Sequence, residues 1–481
     1  MTQITGAPVQ TYGYFANGNF HTSGDDVVIT GVWDHSPLAI VDLAGNDAAL
    51  TAVQDAVLAF AVTRKLSSFQ RAGILRKIAR GIANRKEDFA RTICREAGKP
   101  ITTARLEVDR GIYTFEIAAE EATRIYGEYI PLDTLESTAG RWGLMRRFPL
   151  GPVFAITPFN FPLNLVAHKI APAIAAGCPI ILKPAPQTPV TALLLAQVVL
   201  ESGLPEGALA VLPMSNETAG LLVADDRIKL LTFTGSAAVG WQLKSKAGKK
   251  RVTLELGGNA AVIVHSDTDL AYAAHRCVMG GFSYGGQTCI SVQRILVHRP
   301  AFDEFTQRLL EGVKELKTGD PMDEATTVPP LIRESDAVRT IEWIDEARQA
   351  GAKVLAGGKR KGSIVEPTVL TETSPQMRVN CAEVFAPVVT VEPYETFAEA
   401  VRHVNESVYG LQAGLFTRDA GLIQNAFDEL DVGGLIVGDV PSFRVDQMPY
   451  GGVKDSGFGR EGLRYSIQDM TEPKLMVMAL K

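Results

Sequence analysis

The sequence predicts an α/β protein with two parallel sheets, and three observations carry that expectation. Short apolar strands alternate with helices from Val153 to Leu256. After Gly257-Gly258 the alternation starts again. The chain has 481 residues, 46% of them hydrophobic and 21% charged, a globular composition with room for more than one large core. Parallel strands need long crossovers, and helices on both faces of the sheet supply them.

The elements follow in chain order. Residues 1–50 read as short strands broken by turn signals such as "ANGN" and "AGND". From about Asp47 to Tyr126 apolar residues recur at helical spacing. Gly98-Lys99-Pro100 is a stop signal, and a further helix follows over roughly Thr102–Arg124. "GEYIPLDTLESTAGRWGLMRRFPLG" reads as a hairpin. "VFAITPF", "PIILKP", "ALAVLP", "IKLLTFTG" and "RVTLEL" are then strands, with helices between them. In the second unit "AAVIVH", "RILVHR", "AKVLAGG", "PVVTVEPY", "QAGLFTR" and "GGLIVG" are strands, and helices start near Leu270, Phe302 and Phe397. The two units meet near Glu255–Asn259.

Charge and cysteine content exclude several classes. The net charge of -6 has no basic track, which argues against nucleic acid as a partner. The longest apolar run, Phe161–Leu182, is interrupted by His168 and Lys169, so no membrane span is expected. The first residues lack a basic n-region and an apolar h-region. The five cysteines are scattered and form no CxxC pair. That pattern suits a reducing cytoplasm and predicts neither disulfides nor a metal site.

Five local patterns point to chemistry, each with a plainer reading beside it. Cys289 in "FSYGGQTCISVQR" lies behind Gly285 and Gly286, which permit backbone angles closed to other residues. It is either a small buried residue or a nucleophile. Glu255 in "VTLELGGNA" ends an apolar strand, as a solvated carboxylate or as a base at the carboxyl edge of a parallel sheet. Gly235-Ser236 joins a strand to a helix, where free amides attract anions unless Ser236 is only an N-cap. Lys183 ends another strand, as a surface lysine or as a partner of ribose or phosphate. Asn160 sits in a turn between prolines, as an ordinary turn residue or as a donor to an oxyanion.

Together these patterns identify a resemblance. "TPFNFP", "KPAPQTP", "FTGSAAVG", "LELGG", "GGQTC", "EVFAP" and "PYGGVKDSGFGREG" occur in the order found in the aldehyde dehydrogenase superfamily, over nearly the whole chain. The resemblance implies a Rossmann-like cofactor domain formed by residues 1–126 and 148–254, and an α/β catalytic domain over 255–438. It further implies a small β oligomerisation flap from 127–147 and 467–481, and a closing segment over 439–466 that returns to the cofactor domain. The activity implied is NAD- or NADP-dependent oxidation of an aldehyde to the acid.

In that scheme Cys289 is the nucleophile, Asn160 and the Cys289 N–H hold the oxyanion, and Glu255 activates the water that resolves the thioester. Ile156, Thr157, Pro158, Phe159, Lys183, Pro186, Phe233, Gly235, Ser236, Glu255, Leu256, Glu383 and Phe385 map to the cofactor cleft. Arg110, Phe161, Leu165, His168, Thr288, Ile290, Phe443 and Arg444 are the candidates for the aldehyde tunnel. An arginine there favours an anionic or strongly polar aldehyde. Arg110 has an alternative as a surface ion pair with Glu107 or a nearby acid, and His168 as a satisfied core histidine.

The chain departs from the family pattern in three places. Pro186 stands where many NAD-preferring members have a glutamate, which removes repulsion against a 2′-phosphate, so the resemblance leaves NAD or NADP as the cofactor. "LPMSNETAG" lacks the usual glycines, and Tyr450 replaces the usual phenylalanine, a mild change. A CoA-acylating relative is the alternative reading, but those relatives generally lack the base that Glu255 provides. A catalytically idle scaffold protein would not need Cys289, Glu255 and Asn160 together. The expected partners are a small-molecule aldehyde and further copies of the chain, as a homodimer or homotetramer.

Overall fold

The computed structural model describes residues 9–479. The ends of two expected segments, residues 1–8 and 480–481, lie outside the described residues. The predicted alternation produces two sheets. In the first, Arg251–Glu255, Leu230–Thr234, Val153–Ile156, Ile180–Lys183 and Leu209–Val211 lie side by side and parallel. The chain fills positions to one side of Val153–Ile156 first, then crosses to the other side with Leu230–Thr234. That reversal opens a crevice at the carboxyl ends of the two strands, the usual ligand position in such sheets.

The second sheet repeats the logic. Ala261–Val264 is flanked by Arg294–His298 on one side and Gln412–Phe416 on the other, all parallel. Val388–Tyr394, Thr368–Thr371 and Gly434–Val437 extend it in parallel. Lys353–Ala356 closes one edge antiparallel. The described residues thus form an α/β fold with a Rossmann-like first sheet. Glu255 ends the last parallel strand of the first sheet, and Ala261 begins the second.

The helical region differs from the sequence expectation in its breaks. Four helices occur, at Asn46–Thr63, Ser68–Asn84, Lys86–Ala97 and Ile101–Glu121. Ser67 starts the second with a reciprocal cap: its hydroxyl accepts from the Gln70 amide, and the Gln70 side chain accepts from the Ser67 N–H. Gly98 ends the third in the left-handed region, as its sequence position predicts. The apolar run after Phe161 forms the helix Asn164–Ala176, every residue of which is buried. Among the described residues no helix is long and apolar enough to cross a membrane.

The hairpin forms from Glu128–Pro131 and Arg141–Pro149. The strand Thr471–Ala479 pairs antiparallel with Arg141–Pro149 along its whole length. This three-stranded sheet has two open edges among the described residues. Leu475, Met476 and Val477 on the outer strand are about half exposed.

Candidate active site

A cavity of about 360 Å³ lies between the carboxyl edge of the first sheet and the loops of the second. Cys289, Glu255 and Asn160 all reach its wall. The cysteine is carried by a tight bend in which Tyr284, Gly285 and Gly286 have φ of 54°, 63° and 70°. Tyr284 tolerates this backbone because its hydroxyl donates to the Ala97 carbonyl at 2.8 Å, fixing the bend to the helical layer. A Cβ on Gly286 would run into the Ala386 carbonyl.

Burial pushes the Cys289 thiol up to about 11, although the hydrogen bond with Tyr450 and the Arg444 charge act the other way. The Tyr450 hydroxyl is 3.0 Å from Sγ. Among the described residues the Cys289 N–H has no hydrogen-bond partner, while the preceding Thr288 amide donates to the Gly286 carbonyl. Asn160 donates one amide hydrogen to the Gln287 carbonyl at 3.0 Å. Glu255 is buried, and among the described residues neither carboxylate oxygen has a hydrogen-bond partner. Burial and the Glu461 charge raise its pKa well above the ordinary carboxylate value.

Basic and acidic groups interleave beside this centre. Arg444 is nearly buried, stacks on the Tyr450 ring with 3.7 Å to the centroid, and approaches Glu461 at 3.4 Å. Lys169 pairs with Glu461. Arg110 lines the cavity and meets Asp446 at 2.7 Å. Its partner is therefore Asp446, whereas Glu107 pairs with the buried Lys99 and accepts from the amides of Leu163 and Asn164.

Most of the sequence-predicted residues converge here. Pro158, Phe159, Gly235, Ser236, Leu256, Glu383 and Phe385 line the cavity, as do Phe161, Leu165, Thr288 and Ile290. Ile156, Lys183 and Phe233 sit on the adjoining strand ends, with Ile156 paired beside both of the others, and the Thr157 amide donates to the Lys183 carbonyl. Pro186 lines a second cavity of about 200 Å³ that shares Gln187, Ile332 and Arg333 with the first. Two tunnel candidates, His168 and Phe443, are not among the residues lining this cavity. His168 is buried in a helix whose every residue is buried and is bonded to Asp446 at 2.9 Å. Phe443 is 45% exposed.

Sequence reasoning missed Lys169, Glu461 and Asp446. Their signal was weak: a charge on an apolar helix, and two acids in the closing segment whose partners on that helix lie 278 and 292 residues away.

The crevice fits a dinucleotide. The helix Ala237–Lys246 begins with no side-chain cap and no acid in its first turn, so its amides face the crevice unpaired by Ser236. Lys183 is buried at the strand end, where burial lowers its pKa, and it makes no ion pair among the described residues. A Cβ on Gly257 would strike the Glu383 carboxylate, which keeps that wall open. Glu383 accepts from the Gly258 amide at 3.0 Å, and burial pushes it up to about 7.

A Rossmann-like crevice opening onto Cys289, the buried Glu255 carboxylate and the free Cys289 amide has the form of a dinucleotide-dependent oxidoreductase. More narrowly, the chain belongs to the aldehyde dehydrogenase family, whose model matches residues 22–476. It is 44% identical over 481 residues to the 3-sulfolactaldehyde dehydrogenase of Priestia megaterium, covering 100% of both chains. Aldehyde dehydrogenase 21 from Physcomitrella patens, solved with the reaction product succinate, superposes with a TM-score of 0.97 at 44% identity, covering 98% of this chain and 99% of that one. A glyceraldehyde-3-phosphate dehydrogenase from Methanocaldococcus jannaschii, complexed with NADP, superposes at 0.91 with 36% identity, covering 95% and 99%. The protein is an NAD(P)-dependent aldehyde dehydrogenase.

Proposed function

We propose that this enzyme oxidises short aldehydes bearing a carboxylate or sulfonate to the corresponding acids. The observation that carries the reading is the pair Arg110 and Arg444 on the wall that also holds Cys289. Arg110 and Arg444 pair with Asp446 and Glu461, Glu461 also takes Lys169 from behind the wall, and Glu255 is held toward its neutral form. This local cluster of three cations on two acids carries one positive charge in excess in a region of low dielectric, where it favours an anion. The names of the relatives agree: one acts on 3-sulfolactaldehyde, and one holds succinate.

In this mechanism the Cys289 thiolate adds to the aldehyde carbon. The remaining Asn160 amide hydrogen and the Cys289 N–H receive the oxyanion. A single such donor is typically worth about 3 kcal/mol in the transition state. When bound, the dinucleotide supplies the oxidant and takes up hydride. Its phosphates would lie at the start of Ala237–Lys246, its riboses at Lys183 and Glu383, and its ring beside Phe159 and Phe385. Glu255 then accepts a proton from the water whose oxygen attacks the thioester carbon; the C–S bond breaks, releasing the acid and regenerating the Cys289 thiolate, and Glu255 gives up its proton to solvent before the next turnover. A water-activating carboxylate at this place supports hydrolysis over transfer to CoA.

Pro186 in place of a carboxylate supports NADP as a cofactor alongside NAD. Residues 1–126 and 148–254 would carry the dinucleotide, residues 255–438 the nucleophile, and residues 439–466 would close the site. The sheet formed by 127–147 and 467–481 would join copies into a dimer or tetramer. The five thiols are all free, with Cys381 exposed, which supports a reducing, cytoplasmic setting.

One screen tests the substrate class. Anionic and neutral aldehydes of equal length are compared by kcat/KM with NAD and with NADP. A preference of about tenfold or more for the anionic series is expected. Equal values for both series would remove the role given to Arg110 and Arg444.

A further inference from the structure

On the sequence alone Tyr450 is a mild replacement for phenylalanine, yet its hydroxyl lies 3.0 Å from the Cys289 sulfur. The ring is buried at 3% exposure. Two backbone hydrogen bonds with Glu461 fix its main chain. Ile290 and Leu411 pack against it on the side of Cys289. Arg444 covers one ring face, 3.7 Å from the centroid. Among the described residues the phenol has a single hydrogen-bond partner, Cys289 Sγ at 3.0 Å. A buried tyrosine hydroxyl takes a partner wherever one is offered.

We propose that the Tyr450 hydroxyl is a catalytic hydrogen-bond donor to the Cys289 thiolate, holding the nucleophile in place, and that Arg444 strengthens this donor through its stack on the ring. The direction of donation follows from the groups. Burial, with the Cys289 charge, moves the phenol pKa well above its ordinary value, so the phenol keeps its proton while the sulfur gives one up. A hydrogen bond to an anion favours the anion, so it lowers the energy of the thiolate relative to the thiol. A guanidinium over the ring withdraws electron density and makes the O–H a better donor. A phenylalanine at this position would pack equally well but leave a thiolate at Sγ without a side-chain donor.

The proposal rests on Cys289 being the nucleophile, and its test keeps the two ideas apart. The full-length enzyme and the Tyr450→Phe variant are alkylated with iodoacetamide across a pH series. Modification of Cys289 is followed by peptide mass spectrometry, so no aldehyde is needed. Tyr450→Phe is expected to move the midpoint of the Cys289 profile upward and to slow alkylation near pH 7.5 about tenfold, the size of one hydrogen bond to a charged group. Binding of NADP and the far-ultraviolet circular dichroism spectrum are expected to match the parent, showing that the variant is folded. Superimposable pH profiles in the two proteins would overturn the role of Tyr450. The nucleophile assignment is judged separately: Cys289→Ala is expected to bind NADP but form no NADPH. Undiminished turnover in Cys289→Ala would overturn that assignment whatever Tyr450 does.

Discussion

Glu255 shows how a single residue takes its chemistry from its surroundings. At a solvated strand end it would be an ordinary carboxylate. Here burial comes first and the neighbouring Glu461 second, and both favour its protonated form. A water-activating base must be ionised, so hydrolysis of the thioester gains as pH rises through this elevated pKa and fades as pH falls. In Glu255→Gln the base is lost while the thiol remains. A rapid-mixing experiment is expected to show one burst of NAD(P)H per active site, followed by steady turnover about 100- to 10,000-fold slower than the parent. Loss of the burst together with turnover would place Glu255 before thioester formation instead. At this scale the sequence was informative for Cys289, Glu255 and Asn160, because each sits in a distinctive motif. It was uninformative for His168, whose wall-facing or core-facing orientation depends on packing around the helix Asn164–Ala176.

Elements set the positions that residues exploit. The bend Tyr284–Gly286 is built from three successive left-handed residues, and it delivers the Cys289 sulfur and amide to one spot. Gly286 has no room for a side chain beside the Ala386 carbonyl, and its φ of 70° already disfavours one. Gly286→Ala is expected to displace the bend and to lower kcat about 100-fold or more, since misplacement of a reacting group by about 1 Å has that effect. The check is steady-state kinetics alongside circular dichroism, and near-parental kcat in a folded variant would show that the bend tolerates movement. The helix breaks show where local reading falls short. The Ser67–Gln70 cap is written in the sequence as S-x-x-Q, but the apolar spacing on either side runs on and hides it. The break at Arg85 has no side-chain cap to announce it.

At the scale of the whole molecule, the exposed outer strand is the feature that most needs a partner. Thr471–Ala479 covers one side of the hairpin and leaves its own other edge open among the described residues. An open edge carrying Leu475, Met476 and Val477 is an association hazard unless a second chain covers it. Leu475→Glu combined with Val477→Glu is expected to shift the sedimenting species to a monomer at micromolar concentration. A parental sedimentation coefficient in that double variant would place the contact elsewhere. The association proposed here and the reading of residues 127–147 and 467–481 as a flap stand or fall together.

The sequence by itself determined the alternation of strands and helices, the meeting of two sheets near Glu255, and the motifs that hold Cys289, Glu255 and Asn160. Those features are local: periodicity, turn residues and short motifs are read within a few tens of residues. Only the tertiary structure decided that Arg110 answers to Asp446, that Lys169 and Arg444 share Glu461, and that the Tyr450 hydroxyl reaches Sγ. Each joins positions roughly 160 to 340 apart in the chain, or depends on which way a side chain turns inside the core, except Arg444 with Glu461. Such pairings arise when packing removes water and leaves charged and polar groups to satisfy one another, and no local pattern encodes that choice.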